Sequence, residues 1–173
     1  MNTVLKWFGI FLLVLVVVGL IIPNDVNVRR SIEIDASPEQ IHYYVNNLEQ
    51  WPKWGPWATM DPTMKTTIGE TKSGVGASQS WKGEGGNGKL TITSSSPESG
   101  VVYDMQFEGD PGVYQAGLSY QKQGNSVVVT WYMTGEMQPI IIGNYFSLLM
   151  DSLVGGSFEQ GLASLKQTVE NNR

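Results

Sequence analysis

The sequence predicts an α+β domain in which a curved antiparallel sheet of seven strands wraps on a long C-terminal helix, preceded by one transmembrane helix. Three observations lead to this fold class. Residues 7–22 carry no charge, short stretches within residues 26–35 and 64–135 alternate between polar and apolar, and the last third repeats its apolar residues at helical spacing. A sheet that is apolar on one face must cover that face, and the last helix is the only predicted element long enough to do so.

The apolar segment at the N-terminus is predicted to be a membrane anchor. Trp7–Ile22 gives about 24 Å of helix at about 1.5 Å per residue, and the snorkelling Lys6 extends it toward the roughly 30 Å of a hydrocarbon core. It ends at Gly19–Pro23 without the small-residue cleavage site of a secretory signal. We expect an anchor over residues 1–23 and a soluble domain over residues 24–173, with a cleaved signal peptide as the alternative.

The side of the membrane on which the domain lies depends on the Lys and Arg residues that flank this helix. Lys6 precedes the helix and Arg29 and Arg30 follow it, so the two flanks nearly balance. We favour a single-pass membrane protein whose uncleaved signal anchor leaves the domain on the non-cytoplasmic side.

Composition excludes several classes of function for the soluble domain. Lys6 is the only charged residue of the anchor, so ten basic residues remain against 16 acidic ones and the domain has a net charge of −6. Such a domain lacks the basic surface that nucleic-acid binding or a polybasic contact with anionic lipids requires. The chain has no cysteine, which removes disulfides, thiolate catalysis and cysteine metal sites.

The domain is predicted to begin with a strand and a capped helix. Residues 26–35 alternate between apolar and polar, as a half-buried strand does. Ser37 suits the N-cap and Pro38 the first helical position. The helix is expected to run to about Asn47, with a second short helix or turn at residues 51–57.

Six further strands are predicted from period-two patterns and from the Gly, Asn and Pro turn sequences between them. Their connections are too short for parallel crossovers, so we expect an antiparallel meander. The predicted bounds are Met64–Gly69, Ala77–Lys82, Lys89–Ser95, Val101–Glu108, Val113–Gln121 and Val127–Gly135.

The long last helix is predicted from four apolar residues that step by four, three and four positions along one face: Phe158, Leu162, Leu165 and Val169. Gly155 and Gly156 lie within it, although each glycine costs a helix about 1 kcal/mol against alanine. We therefore expect close packing against a bulky group at this point.

Five groups of short motifs follow one another along residues 26–173: Arg30–Glu39; Leu48–Trp57; Gly74–Ala77 with Trp81; Val129–Trp131; and Asp151, Gly155, Phe158–Leu162 and Leu165-Lys166. In this order and spacing they resemble the START-like superfamily, in particular its polyketide cyclase/dehydrase and lipid-transport branch (SRPBCC). The resemblance implies a helix-grip fold with a deep apolar cavity between the sheet and the C-terminal helix. Members bind lipids, sterols, polyketides or hormones there, and a minority catalyse cyclisation or dehydration.

Ten residues are candidate ligand contacts in such a cavity. Tyr and Trp combine an apolar body with a polar group, which suits them to orienting a ligand, although burial in an ordinary core is the alternative for any single one. The candidates are Arg30, Trp54, Trp57, Trp81, Tyr103, Met105, Tyr114, Trp131, Met133 and Phe146.

Arg30 has the inward parity of Val28 and Ile32, where an unpaired charge costs several kcal/mol. Two interpretations are open. Either the guanidinium reaches water over the sheet edge, or it lies at the cavity mouth and holds a ligand carboxylate or an internal acid such as Glu136.

Residues suited to catalysis or metal binding are few. His42, the only histidine, falls off the apolar stripe of its helix and is expected to be exposed and structural. Asp151 and Glu159 are expected to be surface charges of the last helix. One histidine without cysteine does not favour a transition-metal site, so we assign no metal ligand, no cofactor and no catalytic residue.

The function expected from these features is membrane-tethered binding of a hydrophobic small molecule or lipid. Its partners are that ligand and the membrane, through the N-terminal helix, and not nucleic acid. Two alternatives stay open. One is a cyclase/dehydrase-type enzyme that uses Arg30, a tyrosine such as Tyr103 or Tyr114, and Glu136; the other is a protein-interaction module with a vestigial cavity.

Overall fold

The computed structural model describes residues 2–139 and 141–172. Its helices are α1 (Asn2–Ile21), α2 (Pro38–Asn46), α3 (Trp57–Met60) and α4 (Ile142–Glu170), with a 3-10 helix at Leu48–Lys53. Its strands are β1 (Asp25–Ile34), β2 (Lys65–Ile68), β3 (Ser78–Lys82), β4 (Gly88–Ser96), β5 (Gly100–Phe107), β6 (Tyr114–Gln123) and β7 (Ser126–Glu136). Each predicted strand is present, with bounds no more than two residues from the prediction.

The strands form one antiparallel sheet in the order β1-β7-β6-β5-β4-β3-β2. The meander from β2 to β7 therefore ends beside β1, and the predicted α+β fold class is confirmed. This pairing places Arg30 of β1 directly opposite Trp131 of β7. One bulge, between Ile92 and Ser94 of β4, interrupts the register.

Local side-chain bonds explain the helical turn between β1 and β2. Ser37 and Gln40 form the predicted cap of α2 as a capping box, in which each side chain accepts a hydrogen bond from the backbone N–H of the other residue. The indole of Trp51 donates to the Val45 carbonyl (2.8 Å) and that of Trp54 to the Tyr44 carbonyl (3.1 Å). These bonds fold the 3-10 helix back onto α2.

The two ends of the sheet differ in what they adjoin. β1 begins and β7 ends where Asp25 pairs with Glu136, and this end also holds the junction with α1 and the start of α4. We call it the α1 end. α4 runs from there to the far end of the sheet, where the Lys166 ammonium donates to the Glu33 carbonyl (2.6 Å).

α1 is long and apolar enough, by length and composition, to cross a membrane. Besides the chain connection at residues 22–24, side-chain hydrogen bonds from α4 join α1 to the rest of the structure. Pro23 has no N–H to bond the Gly19 carbonyl, which would otherwise lack a helical partner. The Asn144 side-chain amide of α4 donates to that carbonyl (2.8 Å) and to the Ile22 carbonyl (2.6 Å). α4 therefore caps the C-terminus of α1.

Candidate functional site

Aromatic rings fill the space between the sheet and the second half of α4. The Trp131 indole is central: it stacks on the Phe158 ring with centroids 4.4 Å apart, and its Nε1 donates to the Tyr103 hydroxyl (2.9 Å). Two further rings meet it at steep angles, with centroid distances of 5.4 Å for Trp54 and 6.0 Å for Trp57. We call this set the packed aromatic cluster: Trp51, Trp54, Trp57, Tyr103, Trp131 and Phe158.

The packed aromatic cluster takes up part of the space in which a deep cavity was expected. Trp54, Tyr103 and Trp131 are almost fully buried. Trp131 contacts both of the others, through the ring of Trp54 and the hydroxyl of Tyr103. Met133 is also buried in the core. Burial raises the pKa of Tyr103 well above its usual range, so its hydroxyl stays neutral. Ligand binding by these residues stays a prediction, and their observed contacts are those of a core.

A second group of apolar side chains lies on the same face of the sheet at the α1 end. The Phe107 ring meets Trp81 and Tyr114 edge to face, with centroid distances of 5.9 and 5.6 Å. Met105 lies opposite Tyr114 across the β5–β6 pair. We call Trp81, Met105, Phe107 and Tyr114 the α1-end aromatic group. Except for Tyr114, its members are only half-buried.

The α1-end aromatic group adjoins an open depression of about 380 Å³. Trp81 and Phe107 are its large apolar residues. Its other walls include four charged residues, Lys82, Lys89, Glu108 and Asp110. Gly88 belongs to the same site because a Cβ there would overlap the Trp81 indole. Ligand sites commonly combine an apolar lining with a few polar groups in this way.

The polar groups near this depression hold its loops. The Tyr114 hydroxyl donates to the Asp110 carboxylate, which also accepts from the Gly112 N–H (2.7 Å). Burial, together with the adjacent Asp110, raises the pKa of Tyr114. Asn87 donates to Glu108 (2.7 Å) and so ties the β3–β4 hairpin to the end of β5.

A larger depression, about 540 Å³, opens at the far end of the sheet. It is lined by residues around the start of α2 and the β6–β7 hairpin, among them Glu39, Glu98 and Lys122. It contains none of the ten predicted contacts, and its lining has no aromatic side chain.

Arg30 lies against α4, where two acidic side chains bind its guanidinium. Its Nη atoms donate to both oxygens of Asp151 (2.8 and 3.0 Å), and its Nε donates to Glu159 (2.6 Å). Gly155 makes room for the guanidinium, because a Cβ there would overlap it. The expected bulky neighbour is thus Arg30, which lies against Gly155, whereas the Cβ position of Gly156 is open.

The acids that bind Arg30 differ from those predicted. The expectation of an internal partner such as Glu136 is wrong, since Glu136 lies at the α1 end of β7, five positions from Trp131, the residue opposite Arg30. Asp151 and Glu159 are ion-pair partners and not merely surface charges. The two carboxylates raise the pKa of Arg30, and Arg30 lowers the pKa of Asp151.

Two further predictions are wrong in the placement of a side chain. Phe146 does not face the sheet: it is 51% exposed on the outer side of α4, because at about 100° per residue it lies about 120° around the helix from the buried Phe158. His42 is not exposed: only 8% of it is accessible, and its Nε2 lies 3.2 Å from the Ser95 hydroxyl. Burial lowers the pKa of His42.

Sequence reasoning missed three aromatic residues of these two groups: Trp51, Phe107 and Phe158. The signals were present, because Phe107 has the same strand parity as Tyr103 and Met105, and Phe158 begins the apolar stripe of the last helix. Across residues 2–139 and 141–172, His, Asp and Glu side chains do not gather in threes as metal ligands would.

A long helix packed on a curved, seven-stranded antiparallel sheet defines the helix-grip class of domains. The family described as polyketide cyclase / dehydrase and lipid transport matches residues 25–170 by sequence, and the chain belongs to this family. Comparison with curated proteins finds no match.

Solved structures share the fold at low sequence identity. A protein from Thermobifida fusca has a TM-score of 0.63 and 18% identity, and the match covers 84% of this chain and 93% of that one. A protein from Chromobacterium violaceum has a TM-score of 0.61 and 16% identity, over 83% and 96%. Norcoclaurine synthase from Thalictrum, solved with a transition-state analogue, has a TM-score of 0.61 and 15% identity, over 85% and 95%. These similarities establish the fold alone.

Proposed function

We propose that this chain is a membrane-tethered protein that binds a hydrophobic small molecule or lipid at the α1 end of its sheet. The observation that carries the proposal is the α1-end aromatic group, whose half-buried Trp81 and Phe107 adjoin a depression. Lipid transport is among the activities named for the family. Ligand contact by the residues of the packed aromatic cluster stays a prediction.

The anchor has a physical reason in such a protein. An apolar ligand partitions into the bilayer, so a binding site tethered beside the membrane meets it at high local concentration. Residues 1–23 are the proposed anchor and residues 24–173 the binding domain. The site lies at the end of the sheet at which α1 joins β1, which is the end nearest the proposed membrane. We retain the non-cytoplasmic side for the domain as part of the proposal.

The enzyme alternative has less support from the side chains that it requires. The Arg30 guanidinium is held by Asp151 and Glu159. The Tyr103 hydroxyl accepts from Trp131, and the Tyr114 hydroxyl donates to Asp110. A group that polarises a carbonyl or transfers a proton must be within hydrogen-bond reach of the substrate, and these groups are engaged elsewhere.

Mass spectrometry of bound molecules tests the proposal. The full chain is extracted into polymer-bounded nanodiscs without detergent, and its organic extract is compared with those of two folded variants, Trp81→Ala and Val75→Ala. Val75 is an exposed residue of the loop between β2 and β3, at the far end of the sheet. The lipids that surround α1 are common to all three samples and cancel.

We expect a hydrophobic species that is enriched in the native chain and in Val75→Ala and is depleted in Trp81→Ala. Identical extracts from the three proteins would remove the α1-end site from consideration.

A further inference from the structure

The first half of α4 carries an apolar stripe that no part of the described chain covers. Four residues form it, at steps of four, three and four positions: Ile142, Phe146, Leu149 and Leu153. At about 100° per residue they fall within one narrow arc of the helix. Each is between 51% and 60% exposed. We call these four residues the outer stripe.

The start of α4 lies beside the last turns of α1. The Tyr145 hydroxyl donates to the Leu15 carbonyl (2.6 Å). At Gly19 the two helices approach so closely that a Cβ would come within 2.9 Å of Ile141 and 3.0 Å of Tyr145. The first turn of α4 is therefore level with residues 15–22 of α1.

The length of α1 fixes the depth of that level in a bilayer. The apolar span Thr3–Ile21 has 19 residues, which is about 28 Å of helix and just matches a hydrocarbon core of roughly 30 Å. If α1 crosses the membrane, all of it is needed, and Leu15 and Gly19 then lie below the lipid headgroups. The start of α4, bonded to both levels, lies at the hydrocarbon boundary with them.

The polarity of this half of α4 suits that depth. Between Ile142 and Val154 the only charged residue is Asp151, which points away from the outer stripe to bind Arg30. The Asn144 side-chain amide donates to two carbonyls of α1. A carbonyl without a hydrogen-bond donor is costly in lipid, so these bonds suit a position in the membrane.

We propose that the beginning of the outer stripe is a lipid-contact surface, so that residues 142–149 lie in the membrane interface beside α1 and hold the domain on the bilayer in one orientation. The proposal rests on the proposed membrane tether and goes beyond it. Interfacial helices bury their apolar face about 5–10 Å into the boundary between headgroups and acyl chains. The contact is apolar, because the outer stripe has only apolar side chains. An acidic domain gains nothing from anionic lipid, so the contact does not require it.

Depth-dependent quenching of a fluorescent label tests this surface. The chain has no cysteine, so each single-cysteine variant carries one NBD label. The full chain is reconstituted in phosphatidylcholine vesicles that contain a doxyl-lipid quencher near the headgroups or deep in the bilayer. The labelled positions are Phe146→Cys and Leu149→Cys on the outer stripe, Gln160→Cys on the exposed side of the second half of α4, and Val14→Cys in α1.

We expect the shallow quencher to reduce the emission at Phe146 and Leu149 by several-fold more than at Gln160. The deep quencher should act most strongly at Val14. Quenching at Phe146 and Leu149 no greater than at Gln160, with Val14 quenched, would overturn the lipid contact and leave the tether intact. Loss of quenching at Val14 as well would overturn the tether itself.

A protein partner gives a different result. If a second copy of the chain covers the outer stripe, the label at Phe146 shifts to the blue, as in an apolar environment, but is not quenched by either doxyl lipid. That outcome also overturns the lipid contact. Cross-linking between two Phe146→Cys chains would then identify the second copy as the occupant.

Discussion

The two halves of α4 carry their apolar residues on opposite sides of one continuous helix. In the second half, from Gly155 onward, the apolar stripe that begins at Phe158 is buried against the sheet and the packed aromatic cluster. In the first half, the outer stripe faces away from the domain. At about 100° per residue the two stripes are centred about 160° apart. Helical spacing therefore identifies an apolar face but not the medium that the face meets.

The largest expected difference between the two halves is in the free energy of unfolding. Leu165 is fully buried, so Leu165→Ala should lose about 2–5 kcal/mol through lost contacts and a cavity. Leu149 is 53% exposed, so Leu149→Ala should change the stability by no more than about 0.5 kcal/mol. Urea unfolding in detergent micelles, followed by tryptophan fluorescence, measures both. Equal losses would mean that the first half of α4 also packs on the core.

The fold was predictable because its signals are local. Alternation, turn residues and the Ser37 cap gave strand bounds within two residues and the long last helix. The inward parity of Arg30 was also readable, because strand parity is a property of neighbouring residues.

What the sequence could not reveal depends on contacts between distant segments. Phe146 is not such a case: at about 100° per residue it lies about 120° around the same helix from Phe158, so its exposure could be predicted from the sequence. His42 was expected to be exposed because it falls off a stripe, but it lies beside Ser95, 53 residues away. The acids that bind Arg30 are likewise more than 120 residues distant. Spacing along the chain carries no information about these pairs.

The next largest effect should come from the junction between α1 and the first half of α4. Asn144→Ala removes the donor of two α1 carbonyls and should lose about 1–3 kcal/mol of docking stability. Hydrogen exchange at the backbone amides of Ile22 and Asn24–Val26 measures how far the junction loosens. Asn172→Ala is the matched control, since that exposed side chain donates only to the Thr168 carbonyl of its own helix. Equal exchange in the two variants would contradict a cap supplied by α4.

Alanine substitution at Gly155 and at Gly156, where the two halves meet, should change the free energy of unfolding by a smaller amount and in opposite directions. Gly156 has open space at its Cβ position, so Gly156→Ala should gain up to about 1 kcal/mol from helix propensity. Gly155→Ala has the same propensity gain, but its methyl group displaces the Arg30 guanidinium from Asp151 and Glu159. We expect Gly155→Ala to lose that gain in urea unfolding. Two equally stabilised variants would mean that Arg30 moves aside without cost.

Arg30 binds Asp151 in the first half of α4 and Glu159 in the second, so its ion pairs connect the two halves. The pH dependence of the stability that the Asp151 pair supplies should be the smallest effect. Arg30 holds the pKa of Asp151 below its usual value of 3.8 in the folded protein. As the pH falls, the unfolded chain therefore takes up the Asp151 proton first, which favours unfolding. The stabilisation is complete above the unfolded pKa and is lost as the pH falls through the lower folded pKa.

Thermal unfolding of the native chain and of Asp151→Asn across pH 3–7 measures the contribution of the Arg30–Asp151 ion pair to stability, because the other carboxylates are common to both proteins. The native chain should be the more stable at pH 7, and its advantage should shrink below about pH 4, where Asp151 of the unfolded chain becomes protonated. Added salt at pH 7 should reduce the same advantage, since the pair is partly exposed. An advantage that is constant with pH and with salt would mean that Asp151 orders α4 through packing and not through its charge.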